Sequence, residues 1–81
     1  MTTRSSKLTR PKQSMPAFVR SALRKRALTR AYRERPDYQQ NDYLGWISSA
    51  KREATQQKRL DQMLDELERG GVYMNMRWSQ R

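Results

Sequence analysis

Tyr43, Trp46, Ile47 and Ala50 fall at i, i+3, i+4 and i+7 within "RPDYQQNDYLGWISSAKRE". That spacing places them on one face of an α-helix. A second stripe, Leu60, Met63, Leu64 and Leu67, repeats the period in "EATQQKRLDQMLDELER". Pro36 stops whatever precedes the first stripe, because the residue before a proline avoids helical geometry. Gly70–Gly71 stops the second. Two helices with complementary apolar faces, held between such stops, restrict an 81-residue chain to a small helical bundle.

The helices extend from these stripes. Asp37 suits the cap of a helix over 38–50. Within it Gly45 costs about 1 kcal/mol relative to Ala, and a close helix–helix contact at that point accounts for it. "KREAT" is a short link, and the last helix spans 53–69. Glu53 in its first turn and Arg69 in its last complement the helix dipole, and Asp65 pairs with Arg69 at i, i+4. Upstream, "SMPAFVRSALRKR" opens the folded part, with Ser14 as cap and Pro16 in the first turn. Met15, Phe18, Val19, Ala22 and Leu23 share a stripe, whereas Ala27, Leu28, Ala31 and Tyr32 drift round the axis. Two short helices, 16–25 and 27–35, with a bend near Lys25–Arg26, fit this drift; one continuous helix is the alternative. Residues 1–13 hold almost no apolar side chains, with Leu8 alone after the initial Met1, and read as a disordered basic arm. After Gly71, Val72, Met74, Met76 and Trp78 alternate with period two, so the tail is extended over a helical groove. The expected fold is therefore all-α: three to four short helices over 14–78, a basic arm before them, and an extended C-terminal tail that ends in residues 79–81.

The chain contains neither cysteine nor histidine. That excludes disulfides, thiol nucleophiles and thiolate or imidazole metal sites, and removes the commonest general base. Ser48 and Ser49 near Lys51 suggest a Ser–Lys dyad, but no oxyanion donor or shaped pocket is legible around them. Asp61, Asp65, Glu66 and Glu68 are spread along one helix and read as a solvated acidic face rather than a cation site; that face is also suited to docking the basic face of a second copy. No cofactor is expected, and the chain is not read as an enzyme. The N-terminus lacks the apolar run of a secretory signal and no stretch approaches a membrane span, so the expected location is cytoplasmic.

Charge is the strongest positive signal. Residues 1–35 contain eleven Lys or Arg and one acid, Glu34, whereas residues 36–81 contain seven of each. The whole net charge of +10 sits in the first half. Such asymmetry points to an anionic partner. The candidate contact residues are Arg20, Arg24, Lys25, Arg26, Arg30 and Arg33, with Arg35 beside them and Arg4, Lys7, Arg10 and Lys12 in the arm. Tyr38, Tyr43 and Trp46, interleaved with Arg35, Lys51 and Arg52, invite a second reading as a base-stacking platform. Their shared helix face favours the core for Tyr43 and Trp46, leaving Tyr38 and Trp78 as the exposed rings.

Tyr43, Trp46, Ile47, Ala50, Lys51, Arg52, Glu53, Thr55, Arg59 and Leu60, followed by "GGVYMNMRW", form an ordered set of motifs. Over residues 15–78 the chain resembles the bacteriocin-protection, YdeI/OmpD-associated (OmdA-type) family. The resemblance implies an all-helical domain and, through the family's name, a part in antimicrobial or envelope stress. It brings no catalytic residues. Charge and resemblance together give a non-enzymatic binding or adaptor module that contacts an anionic partner, nucleic acid first, through its basic half. The alternative is a protein–protein module in a stress response, binding through the acidic last helix or the "YMNMRW" tail. The oligomeric state is not legible.

Overall fold

The computed structural model describes residues 13–78. Except for Gln13, the basic arm expected over 1–13 lies outside the described residues, as does the tail at 79–81. Four helices run in order: α1 (Ala17–Lys25), α2 (Thr29–Arg33), α3 (Asp37–Ser49) and α4 (Glu53–Arg69). A two-stranded antiparallel hairpin, β1 (Val72–Tyr73) and β2 (Met76–Arg77), follows them. The mostly helical architecture is as expected.

Prolines start two of the helices. Pro16 and Pro36 occupy the N-cap positions of α1 and α3 in extended geometry, with ψ of 153° and 151°. The Pro16 carbonyl accepts from the Val19 and Arg20 amides, and that of Pro36 from Gln39 and Gln40. The expected side-chain caps, Ser14 and Asp37, make no capping hydrogen bond. Asp37 instead lies in the first turn of α3, where its charge suits the dipole.

The first segment is broken, as the drifting stripe predicts. Ala27 has φ of 57°, in the left-handed region. The Ala27 amide donates to the Arg24 carbonyl and the Leu28 amide reaches back to Leu23, at 3.1 and 2.8 Å. This is a Schellman-type ending with alanine where glycine is usual. Burial of Leu28 and Tyr32 beyond the turn, at 8% and 5% exposure, offsets the strain.

Val19 and Leu23 from α1, Tyr43, Leu44 and Ile47 from α3, and Leu60, Met63, Leu64 and Leu67 from α4 join Leu28 and Tyr32 in one core. The α4 stripe is buried as predicted. Phe18 departs from the α1 stripe and is 42% exposed: it flanks Val19, which with Leu23 one turn later occupies the core-facing line. Trp46 also departs. It is half-buried at the edge of the core, with the Arg59 guanidinium 5.2 Å from its ring centroid. Arg59 Nη1 donates to the Trp46 carbonyl, so α4 caps the end of α3. Gly45 does not mark a helix–helix crossing. A Cβ there would stand 3.5 Å from the Gln13 side chain, where the chain passes over α3 on its way to α1. The Gln13 amide donates to Asn41 Oδ1 at 2.6 Å.

Helix α3 is thus covered on several sides, and its buried surface includes Gln39 and Asn41 as well as apolar residues. The tail is extended, as expected, but folds back on itself. Met74 and Asn75 both have positive φ, 51° and 64°, between the pairs Val72–Arg77 and Tyr73–Met76. That is the two-residue hairpin geometry in which asparagine is common and methionine is not. The amides of Met74 and Asn75 donate to the two Glu66 carboxylate oxygens, each at 2.8 Å, which holds the strained turn against α4. Glu66 is 1% exposed and belongs to the interior, not to the solvated acidic face. It also accepts from Tyr43 Oη and Gln62 Nε2, at 2.5 and 2.9 Å.

Burial raises the Tyr32 phenol from 10.0 to about 12, and burial with the Glu66 carboxylate raises that of Tyr43 further. Phenols in the unfolded chain lose their protons first, so stability is intact below pH 10 and falls as pH rises from there towards 12. We expect the urea midpoint to drop steadily over that range. Tyr32→Phe should lessen the drop and leave the part due to Tyr43; an equally steep fall in this variant would assign the loss to Tyr43 or to lysine titration instead.

Candidate functional site

Helix α1 carries Arg20 and Arg24 one turn apart, and the Ala27 turn brings α2 back beside them with Arg33 in its last turn. These three arginines line one cleft of about 290 Å³. Met15, Leu23, Thr29, Tyr32 and Gln40 of α3 complete its lining. Leu23 and Tyr32 belong to the core and present little surface there, at 1% and 5% exposure. The guanidinium-bearing residues on the rim are exposed.

Gln40 sets the position of Arg33. Its Nε2 donates to the carbonyls of Arg33 and Arg35, at 3.2 and 2.8 Å, satisfying acceptors that the end of α2 leaves open. Tyr32 Oη donates to the Gln40 carbonyl at 3.4 Å, a long bond that ties the same two helices. Both contacts fix the cleft wall from the α3 side.

The six arginines and lysines singled out from sequence do not act as one surface. Arg26 Nη2 lies 2.9 Å from Glu68 Oε1 of α4, and Arg30 Nε lies 3.2 Å from Glu34 Oε2. Exposed pairs of this kind contribute at most about 1 kcal/mol to stability, but they offset the charge presented outward. Among the described residues, Arg20, Arg24, Lys25 and Arg33 have no acidic partner. Lys25 is exposed in the last turn of α1, where its charge suits the dipole, and it lies outside the cleft.

Arg35 leaves the basic face altogether. It is 5% exposed and donates to Gln39 Oε1 and to the carbonyls of Glu66 and Val72, at 3.0, 3.0 and 2.9 Å. Its guanidinium sits 4.6 Å over the Trp78 ring, which is therefore half-covered rather than exposed. Tyr38 is 48% exposed, as expected for that ring. The proposed stacking platform is dispersed: Tyr43 is fully buried and Tyr73 stands edge-on to both Tyr38 and Tyr43, with centroids 5.9 and 5.4 Å apart.

Sequence reasoning placed Glu66 on a solvated acidic face, although it is 1% exposed, and overlooked Gln39 and Gln40. Glu66 lies off the Leu60–Leu67 stripe, and Tyr43 of α3 together with the returning hairpin encloses it. The "QQN" run within α3 was the available signal, since three amides in a row suit a helix whose neighbours are backbone carbonyls and turns. Near the α3–α4 link, Ser49 Oγ donates to the Trp46 carbonyl and accepts from Arg59 Nη1, at 3.0 and 3.2 Å. No hydrogen bond joins either serine to Lys51 among the described residues. Those residues also contain no group of three or more acidic side chains placed to hold a metal ion. No helix among them is long and apolar enough to cross a membrane.

No curated protein and no solved structure matches the chain significantly. The family model described as "Bacteriocin-protection, YdeI or OmpD-Associated" matches residues 14–70, which span all four helices and stop short of the hairpin. That match covers well over half of the chain, so this protein belongs to the bacteriocin-protection, YdeI or OmpD-associated family.

Proposed function

We propose that this protein is a non-enzymatic binding or adaptor module that works in the cytoplasm and contacts an anionic macromolecule, nucleic acid first, through its basic N-terminal half. The observation that carries the reading is the set Arg20, Arg24 and Arg33 on the rim of one cleft, none with an acidic partner among the described residues. Lys25 adds charge beside them. Guanidinium groups left without carboxylate partners on a rigid helical frame suit phosphate oxygens. Arg26 and Arg30, offset by Glu68 and Glu34, are secondary contacts.

The test is a salt titration of binding to duplex DNA, single-stranded RNA and anionic vesicles. Each duplex phosphate neutralised steepens the log–log salt dependence by about 0.9. Replacing Arg20, Arg24 and Arg33 together by Gln should reduce the slope by about 2–3 and weaken binding, with helix content unchanged. Replacing Arg26 and Arg30 should have a smaller effect. Equal binding by wild type and the triple variant, or no binding by either at low salt, would remove the nucleic-acid reading.

A second reading, a protein–protein module in a stress response, draws on Met76. It stands 59% exposed on the hairpin, while Asp61, Asp65 and Glu68 are exposed on α4. It becomes the leading reading if no nucleic acid binds.

A further inference from the structure

Arg20 and Arg24 stand four residues apart on α1, and Thr29 and Arg33 stand four apart on α2, so each pair shares a helix face. All four line the same cleft. Among the described residues, none of the three arginines has an acidic partner and the Thr29 hydroxyl makes no hydrogen bond. Like charges gathered around one recess repel, so a ligand that brings more than one negative charge relieves them most. Leu23 and Tyr32 present little surface, so the ligand is held by charge and hydrogen bonds rather than by apolar contact. A volume of about 290 Å³ lies below that of most small-molecule pockets and suits a single anionic group.

We propose that the cleft holds the terminal phosphomonoester of a nucleic-acid strand. This rests on the nucleic-acid reading above and deepens it, from the backbone at large to a strand end. A backbone phosphodiester carries a single negative charge on its free oxygens, and both of its ester arms must leave the cleft. A terminal monoester carries about −1.5 to −2 at pH 7, spread over three free oxygens, and has a single ester arm. Three guanidinium groups and a hydroxyl match that charge and that set of acceptors, and the guanidinium fork binds phosphate oxygens in pairs. Lys25, exposed and outside the cleft, is left for the adjoining backbone. Gln40 Nε2 is committed to the carbonyls of Arg33 and Arg35, so it positions the end of α2 and does not bind the ligand. With no free amide and little apolar surface to meet a base, the site reads the strand end and not the sequence.

The experiment is fluorescence anisotropy on the full chain at moderate salt, with single strands labelled at the 3′ end. One probe bears a 5′-phosphate; the other bears a 5′-hydroxyl and is longer by about two nucleotides, which equalises the net charge. At neutral pH the 5′-phosphate strand should bind about tenfold more tightly, the size of an added charge-assisted hydrogen bond. That advantage should shrink as pH falls through about 6, where the monoester loses its second charge. The chain has no histidine to titrate in the same range. Arg20→Gln with Arg24→Gln should remove the advantage. Lys51→Gln with Arg52→Gln, an equal loss of charge on the exposed link between α3 and α4, should keep it. Should the first variant fail to fold by circular dichroism, the wild-type pH dependence decides alone. If the two strands bind equally, with binding still salt-dependent, or if both double variants lose the advantage alike, the strand-end inference is overturned while the electrostatic reading stands. A phosphoserine peptide that binds when the two strands do not differ also overturns it and gives the cleft to a protein ligand. If neither strand binds at low salt, both readings fall.

Discussion

Glu66→Ala is expected to lower the folding free energy by about 3–5 kcal/mol, the range for removing one member of a buried charged network. The carboxylate accepts four hydrogen bonds: from the Tyr43 hydroxyl, the Gln62 amide and the backbone amides of Met74 and Asn75. Its loss leaves the Tyr43 hydroxyl inside the core without an acceptor, and buried unpaired donors carry the full cost of desolvation. It also releases a turn whose two central residues have positive φ. Glu66→Gln should be intermediate, because one side-chain amide group cannot accept from all four donors. Urea denaturation measures the loss, and amide exchange at Met74 and Asn75 shows whether the hairpin opens before the helices do. A change within about 1 kcal/mol for the alanine variant would mean that the hairpin does not depend on this carboxylate.

Arg35→Ala should be nearly as damaging, at about 3 kcal/mol or more. The side chain is the common partner of Gln39, the Glu66 carbonyl and the Val72 carbonyl, and it covers Trp78. It therefore joins α3, α4 and β1. For a domain of this size the melting temperature should fall by roughly 12–24 °C for a 3 kcal/mol loss. Arg35→Lys should recover only part, since one ammonium lacks the planar fork that reaches separate acceptors. If Arg35 belonged to the binding face instead, the lysine variant would keep its stability and lose affinity. Because Arg35 and Glu66 share the hairpin as their load, the double variant should cost less than the sum of the two.

Charge placement and the i, i+3, i+4 spacing of apolar residues are local properties of the chain, and they were legible without a structure. Pro36 and Gly70–Gly71 bound α3 and α4, and the drift of Ala27, Leu28 and Tyr32 placed the break after α1. The family motifs were legible for the same reason, since they are read residue by residue. Tertiary contacts decided what periodicity cannot encode. Phe18 and Trp46 have the spacing of core residues yet sit at its edge, because burial depends on which neighbour arrives, not on helix phase alone. Gly45 answers to Gln13, far away in sequence.

The basic half shows the same division most clearly. Its excess of positive charge is a property of composition. Which cations remain available is not. Glu68 arrives from α4 to pair with Arg26, and Glu34 pairs with Arg30 along the helix. Arg35 is drawn inward by carbonyl acceptors that exist only once α4 ends and the hairpin returns. Arg20, Arg24 and Arg33 come together because Ala27 adopts a left-handed turn, a conformation that an alanine side chain does not announce. Hydrophobic period follows from the geometry of a single helix. The partner of a charge follows from the path of the whole chain, because a charged side chain on a flexible stem takes whichever counter-charge or carbonyl the fold delivers.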